Sequence, residues 1–182
     1  MIGRVVAIGG PPGSGKSTAG RRVVTALGLE YRSAGDVFRS GAAARGMDVE
    51  AFGQFAEAHP EVDRDLDEQM QALARPGVLL DGRIQGTLCR RHGIPVAAVV
   101  VTATEEERAR RVAARDGQSV DEARRRIRAR AEGERRRYRA LYGFDVEAET
   151  ADLTIDSTAL PPERVAAEIV AFLNGGSAEG SA

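Results

Sequence analysis

The chain has 182 residues, with 26 lysines plus arginines against 27 aspartates plus glutamates and a single cysteine. That length suits one domain with a real core, and a net charge of −1 supplies no global field for nucleic acid or an anionic membrane. Cys89 alone excludes an internal disulfide framework. With His59 and His92 it makes no convincing zinc site, and the longest apolar run, Pro95–Val101, is too short to span a bilayer.

Arg4–Ile8 is short, apolar and β-branched, as a buried strand is. Met1 leads straight into it and leaves no room for a signal peptide, so a cytoplasmic protein without a membrane partner is expected. The strand runs into Gly9-Gly10-Pro11-Pro12-Gly13-Ser14-Gly15-Lys16-Ser17, which satisfies G-x-x-x-x-G-K-[ST] from Gly10 to Ser17. Glycines let successive backbone N–H groups curl inward toward phosphate oxygens, and the helix N-terminus adds partial positive charge. Lys16 then reaches the β- and γ-phosphates of ATP, and the Ser17 hydroxyl is placed to ligate Mg²⁺. From Thr18 a helix to Leu27 carries Val23, Val24 and Leu27 on one side. Lys16 is the only lysine in the chain, and the other 25 basic residues are arginine. A compact ammonium on a flexible stem suits this pocket where a planar fork does not.

Further strands are expected at Leu29–Arg32, Gly77–Asp81, Val96–Thr102 and Ala151–Asp156. None alternates cleanly, as befits strands of a parallel sheet covered on both faces. Helix starts are legible at the capping boxes Thr104–Glu107 and Ser119–Glu122, and at Pro162, which opens a last helix to Leu173. Two segments interrupt the alternation. Asp48–Leu73 reads as helical with Val62, Leu66, Met70 and Leu73 on one face and a break at His59-Pro60. Arg108–Arg139 carries thirteen arginines interspersed with acidic residues, among them Glu132 and Glu134, so most of it reads as a solvated helix surface. Both follow strand ends, where open α/β sheets hold their ligands.

Asp81 ends its strand and Gly82-Arg83 follow at once. Such a carboxylate either starts a turn or, beside a phosphate loop, serves Mg²⁺; the loop favours the metal role. Ser33, Gly35 and Asp36, followed by Arg39 one turn into a helix, form a candidate second anion site. Some of the thirteen arginines are expected to close over migrating phosphate charge, and spacing alone does not say which.

Assembled, these residues resemble the nucleoside monophosphate kinases, most closely the archaeal-type cytidylate kinases. The markers are GGPPGSGKST, SAGDVFR, MDVEAFGQFAEAHPEVDRDLD, LDGR, RVAARDG, ERRRYRALYGFD and IDST, spread over Val5 to about Leu173. The resemblance implies an α/β, three-layer P-loop kinase fold with a five-stranded parallel sheet in the order 2-3-1-4-5. One domain over 1–173 would carry a helical monophosphate-binding insertion at about 36–74 and a helical lid at about 115–140, with 174–182 a disordered tail. It implies transfer of a phosphoryl group from ATP to CMP or dCMP by a monomer that binds no nucleic acid, with Gly10–Thr18 cradling ATP. Lys16 and the arginines named here would be catalytic: Arg39 and Arg83 hold the acceptor phosphate, Arg115 and Arg130 close on the transferring phosphates. Arg111 would lie against the adenine and Asp63 would line the acceptor-base pocket, while Ser33 and Gly35 complete the acceptor site. The chain departs from the family in Asp81, where glutamate is expected, and in lacking an aromatic just past Gly86.

Other readings compete. A kinase for another monophosphate or an alcohol would use Asp36 as base in the alcohol case. An RNA-binding protein would use Arg124–Arg139 with Tyr138, Tyr142 and Phe144 as stacking surfaces. A nucleotide switch would bind and barely turn over.

Overall fold

Five short strands pair in parallel in the computed structural model, which describes residues 3–146 and 150–175. The strands are β1 (Val5–Gly9), β2 (Glu30–Ser33), β3 (Val78–Asp81), β4 (Val96–Thr102) and β5 (Leu153–Asp156). Their order is β2-β3-β1-β4-β5, with Val6 of β1 opposite Leu79 on one side and Ala97 on the other. The expected order 2-3-1-4-5 and parallel sense are therefore the observed ones. Parallel strands demand crossovers, and helices supply them. These are α1 (Lys16–Leu27), α2 (Ala34–Ala44), α3 (Val49–Ala58), α4 (Pro60–Ala72), α5 (Gln85–Arg91), α6 (Glu105–Asp116), α7 (Val120–Tyr142) and α8 (Pro162–Leu173).

Alternate strand residues serve opposite faces. Val6, Ile8, Leu79, Val99 and Ile155 pack against α1 and α8 through Ala19, Val23, Val165 and Ile169. Val5, Val78 and Leu80 meet Ala34, Leu66, Met70 and Cys89 of α2, α4 and α5 on the other. Strand β4 has the expected bounds, β3 and β5 end where expected, and the other bounds differ by one or two residues, because apolar content does not mark the last ladder bond. Helix α1 begins at Lys16 rather than Thr18, since Gly15, in the left-handed region at φ 87°, is its N-cap. Helix α5 was not anticipated; it is a short helix whose buried residues are Gln85, Gly86, Leu88 and Cys89.

The side chains of Thr104 and Ser119 accept bonds from the amides of Glu107 and Glu122, as the capping boxes predicted. His59 ends α3 and also precedes α4, whose first residue is Pro60. The inner face of α4 differs from the expected one: Leu66 and Met70 are buried, but Asp63 and Asp67 are buried with them. The cause is the neighbour, since these carboxylates face α7 rather than the sheet. Asn174 and Gly175 follow α8; the rest of the expected tail, 176–182, lies outside the described residues.

Candidate active site

The phosphate loop leaves β1 and is pressed against the neighbouring elements. A Cβ on Gly10 would stand 2.1 Å from the Val101 carbonyl oxygen, and one on Gly13 would stand 2.8 Å from that of Arg108, so only glycine fits. Helix α6 clamps the loop from outside. Arg108 Nη1 donates to Pro12 O at 3.2 Å, and Arg111 Nη1 to Ser14 O at 3.2 Å. Arg111 also donates from Nη1 to Ser157 Oγ at 2.9 Å and from Nη2 to Ser157 O at 2.7 Å, while its Nε donates to Glu107 Oε1 at 3.0 Å. All three guanidinium nitrogens of Arg111 thus donate to protein oxygens. Ser157 itself donates to Ser14 O at 2.8 Å, so the IDST segment is the loop's other buttress.

Lys16, the first residue of α1, is half-buried rather than freely solvated. Burial pushes its ammonium below the usual range, opposed by Asp81; Arg130 and Arg83 add to the lowering and Glu134 opposes it. Lys16, Asp81, Arg83 and Arg130 are thus one electrostatic unit, drawn from α1, the tip of β3, the loop after it and α7. Glu134 is its missing member. Its Oε1 accepts from Arg130 Nε at 2.7 Å, and its Oε2 lies 2.9 Å from Arg83 Nε. Burial opposes its charge more than any other influence, yet Arg130 and Arg83 hold its carboxyl below the ordinary glutamate range. The expectation that Glu134 belongs to a solvated surface is corrected here: the residue is 4% exposed. The signal was in the pattern. Ala123, Ile127, Glu134 and Tyr138 form one inward stripe of α7, and a charge there departs from its apolar neighbours.

Tyr31, on β2, was also overlooked. Its hydroxyl donates to Asp81 Oδ2 at 2.5 Å and interacts with the Ser17 hydroxyl, so it links the two residues expected to serve Mg²⁺. Among the described residues no three histidine, cysteine or acidic side chains gather to cage a metal. One serine hydroxyl and one carboxylate, both hard oxygens beside a phosphate cradle, fit Mg²⁺, which keeps several waters and completes its shell with phosphate oxygens.

The remaining expected residues border this cluster without binding it: Ser33 stands opposite Asp81 in the sheet, while Asp63 and Arg115 lie within electrostatic reach of Glu134 and Arg130. Ser33 caps α2 by accepting from Asp36 N at 3.2 Å, and Arg39 Nη2 pairs with Asp36 Oδ1 at 2.5 Å on an exposed edge next to Gly35. Arg115 is exposed and bound to its neighbour Asp116. Asp63 accepts from Arg137 Nε at 2.7 Å, and burial raises its carboxyl despite that cation. One turn on, Asp67 accepts from Tyr142 Oη at 2.7 Å and Gln85 Nε2 at 3.2 Å, while Gln71 Nε2 donates to Gln85 Oε1 at 3.1 Å. Burial lifts Asp67 to about 6. The RNA reading needed exposed rings. Tyr138 is instead buried against Ile84 and Leu88, Tyr142 is bound to Asp67, and Arg91 lies over Phe144 at 4.5 Å from the ring centre.

A parallel sheet in this order, with a phosphate loop after its first strand and arginines from neighbouring segments beside its lysine, defines a P-loop kinase. Shikimate kinase from Acinetobacter baumannii, solved in complex with shikimate, shares the fold with a TM-score of 0.63 over 97% of this chain and 96% of that one, at 17% identity. Residues 9–128 match the AAA domain family. The chain belongs to the cytidylate kinase family. It is 40% identical over 166 residues to the cytidylate kinase of Methanopyrus kandleri, covering 86% of each chain. It is also 39% identical over 171 residues to that of Ignicoccus hospitalis, covering 93% of this chain and 98% of that one.

Proposed function

We propose that this protein transfers the terminal phosphoryl group of ATP to CMP or dCMP, giving ADP and CDP or dCDP, as a cytoplasmic monomer without a nucleic-acid partner. The observation that carries the reading is the gathering of Arg83 and Arg130 about Glu134, within electrostatic reach of Lys16 of the phosphate loop, in a chain of the cytidylate kinase family. An oxygen of the acceptor's phosphate attacks the γ-phosphorus of ATP, the bond from that phosphorus to the β,γ-bridging oxygen breaks, and ADP leaves with the electron pair. The acceptor oxygen is already anionic near neutral pH, so no general base is required. What the protein must supply is alignment and neutralisation of like charges.

Lys16 and the loop amides of Gly10 to Thr18, with Pro11, Pro12 and Ser14 shaping the curl, hold the donor. Arg111 offers a flat face to the adenine. Arg83 and Arg39, with Ser33 and Gly35, hold the acceptor phosphate. Asp63 belongs to the base pocket, and Arg130 with Arg115 covers the migrating group. Ser17 and Asp81 would hold Mg²⁺, which when bound neutralises charge on the β- and γ-phosphates. The helices α2 to α4 serve as the acceptor-binding insertion, and α7 with the end of α6 as the lid.

The test is a steady-state assay of purified protein with ATP, Mg²⁺ and a panel of CMP, dCMP, UMP, AMP and shikimate. Formation of CDP or dCDP is the expected result. No turnover of either cytidine nucleotide, with turnover of an alcohol, overturns the proposal.

A further inference from the structure

Glu134 lies in the middle of α7, yet only 5% of its side chain is exposed. Its two oxygens are divided between cations from different parts of the fold. Arg130 belongs to α7 itself, and Arg83 to the loop after β3. Both are met at Nε. Among the described residues, nothing else in the protein binds either guanidinium, which leaves both terminal nitrogens of each for other acceptors. The Arg83 contact, though close, is not directed as a hydrogen bond, and Arg83 Nε and Glu134 Oε2 are both buried without one. The Arg130 side chain is 46% exposed, so its outer edge faces open space.

For stability alone a glutamate is a poor choice here. A buried ion pair is seldom worth more than well-packed apolar residues of the same volume, and the neighbouring inward positions Ile127 and Tyr138 are of that kind. The carboxylate does something an apolar residue cannot. It lets three cations, Lys16, Arg83 and Arg130, converge, and it sets the spacing of two of them by their inner edges.

We propose that Glu134 is a positioning residue for phosphoryl transfer. It grips Arg83 and Arg130 by Nε so that the fork of one faces the acceptor's phosphate and the fork of the other faces the group in flight, and it ties α7 to the β3 loop. Arrival of the two phosphates brings the loosely directed Arg83 contact into line. The proposal rests on the phosphoryl-transfer reading above.

Glu134→Gln and Glu134→Asp are compared with wild type in steady-state assays with ATP and CMP, with far-UV circular dichroism to check the fold. Glu134→Gln is expected to lower kcat by about 100-fold, the scale on which small misplacements of reacting groups act, while KM for each nucleotide changes by less than about threefold. Glu134→Asp, which keeps the charge, recovers part of the loss. In an Arg130→Ala background the same glutamine substitution costs clearly less than in wild type, because one of the two groups it positions is gone. An unchanged kcat, or a full and additive loss in that background, overturns the proposal. If Glu134→Gln does not fold, the cycle is read on Glu134→Asp with the same criteria. Wild-type turnover of CMP tests the functional reading, and the ratio of variant to wild type tests this one, so the two fail separately.

Discussion

The sheet face beneath α1 and α8 and the seam between α4 and α7 are both buried, and they are made of opposite materials. Under α1 and α8, Val6, Ile8, Val23, Leu79 and Ile169 are at 0% exposure and carry no polar group to satisfy. In the seam, Asp63 pairs with Arg137 and Asp67 with Tyr142 and with Gln85 of α5. Apolar burial contributes about 1.5–3 kcal/mol for each large side chain and has no preferred direction. A buried ion pair gains Coulomb energy but loses hydration of nearly equal size. The first region is therefore a rigid platform that fixes the phosphate loop. The second holds its geometry without much net stabilisation, which suits the acceptor-binding and lid roles proposed for its two segments.

The largest expected effect separates chemistry from platform. Lys16→Ala should lower kcat on the order of 10³-fold or more while the thermal midpoint hardly moves, since the lysine is not part of the apolar core. A matching collapse of the midpoint would show that platform and chemistry are not separable. Next comes the seam. Arg137→Ala strands Asp63, whose side chain is 4% exposed, and should cost about 3–5 kcal/mol in urea unfolding. The double change Arg137→Met with Asp63→Leu should recover most of that, because removing both charges removes the unpaired one. Equal damage from single and double would mean the seam is a net stabiliser after all.

The smallest effect is a pH dependence. Burial raises Asp67 from an ordinary 3.8 to about 6 in the folded chain. The folded state then binds this proton more tightly than the unfolded one between those values, so stability falls as pH rises from 4 to 6, by about 3 kcal/mol at most. Asp63, Tyr138 and Tyr142 face the same group. Asp67→Asn should flatten that slope in denaturant titrations at a series of pH values; an unchanged slope would assign it to other groups.

Much of the platform was legible in the chain. Short strand-like runs, a phosphate-loop spacing and two capping boxes predicted the strands, several covering helices and the position of Lys16, because each depends on local pattern, while the strand order came with the family resemblance. What escaped depends on partners far away in sequence. Asp63 was singled out only through the family resemblance and Asp67 not at all, because what buries them is α7, whose Arg137 and Tyr142 lie 74 and 75 positions on. Glu134 needed Arg83 from another segment, and Tyr31 needed Asp81, 50 positions away. Helix α5 was missed for a simpler reason: its few buried side chains are too short a series to show a period.

The solitary lysine has a practical corollary. Apart from the α-amino end, an acylating reagent meets a single amine able to form a stable amide in the entire chain, and burial leaves a larger neutral fraction of it at a given pH. Mass spectrometry of the acylated protein therefore reads occupancy of the loop as one adduct gained or withheld, with no engineered label.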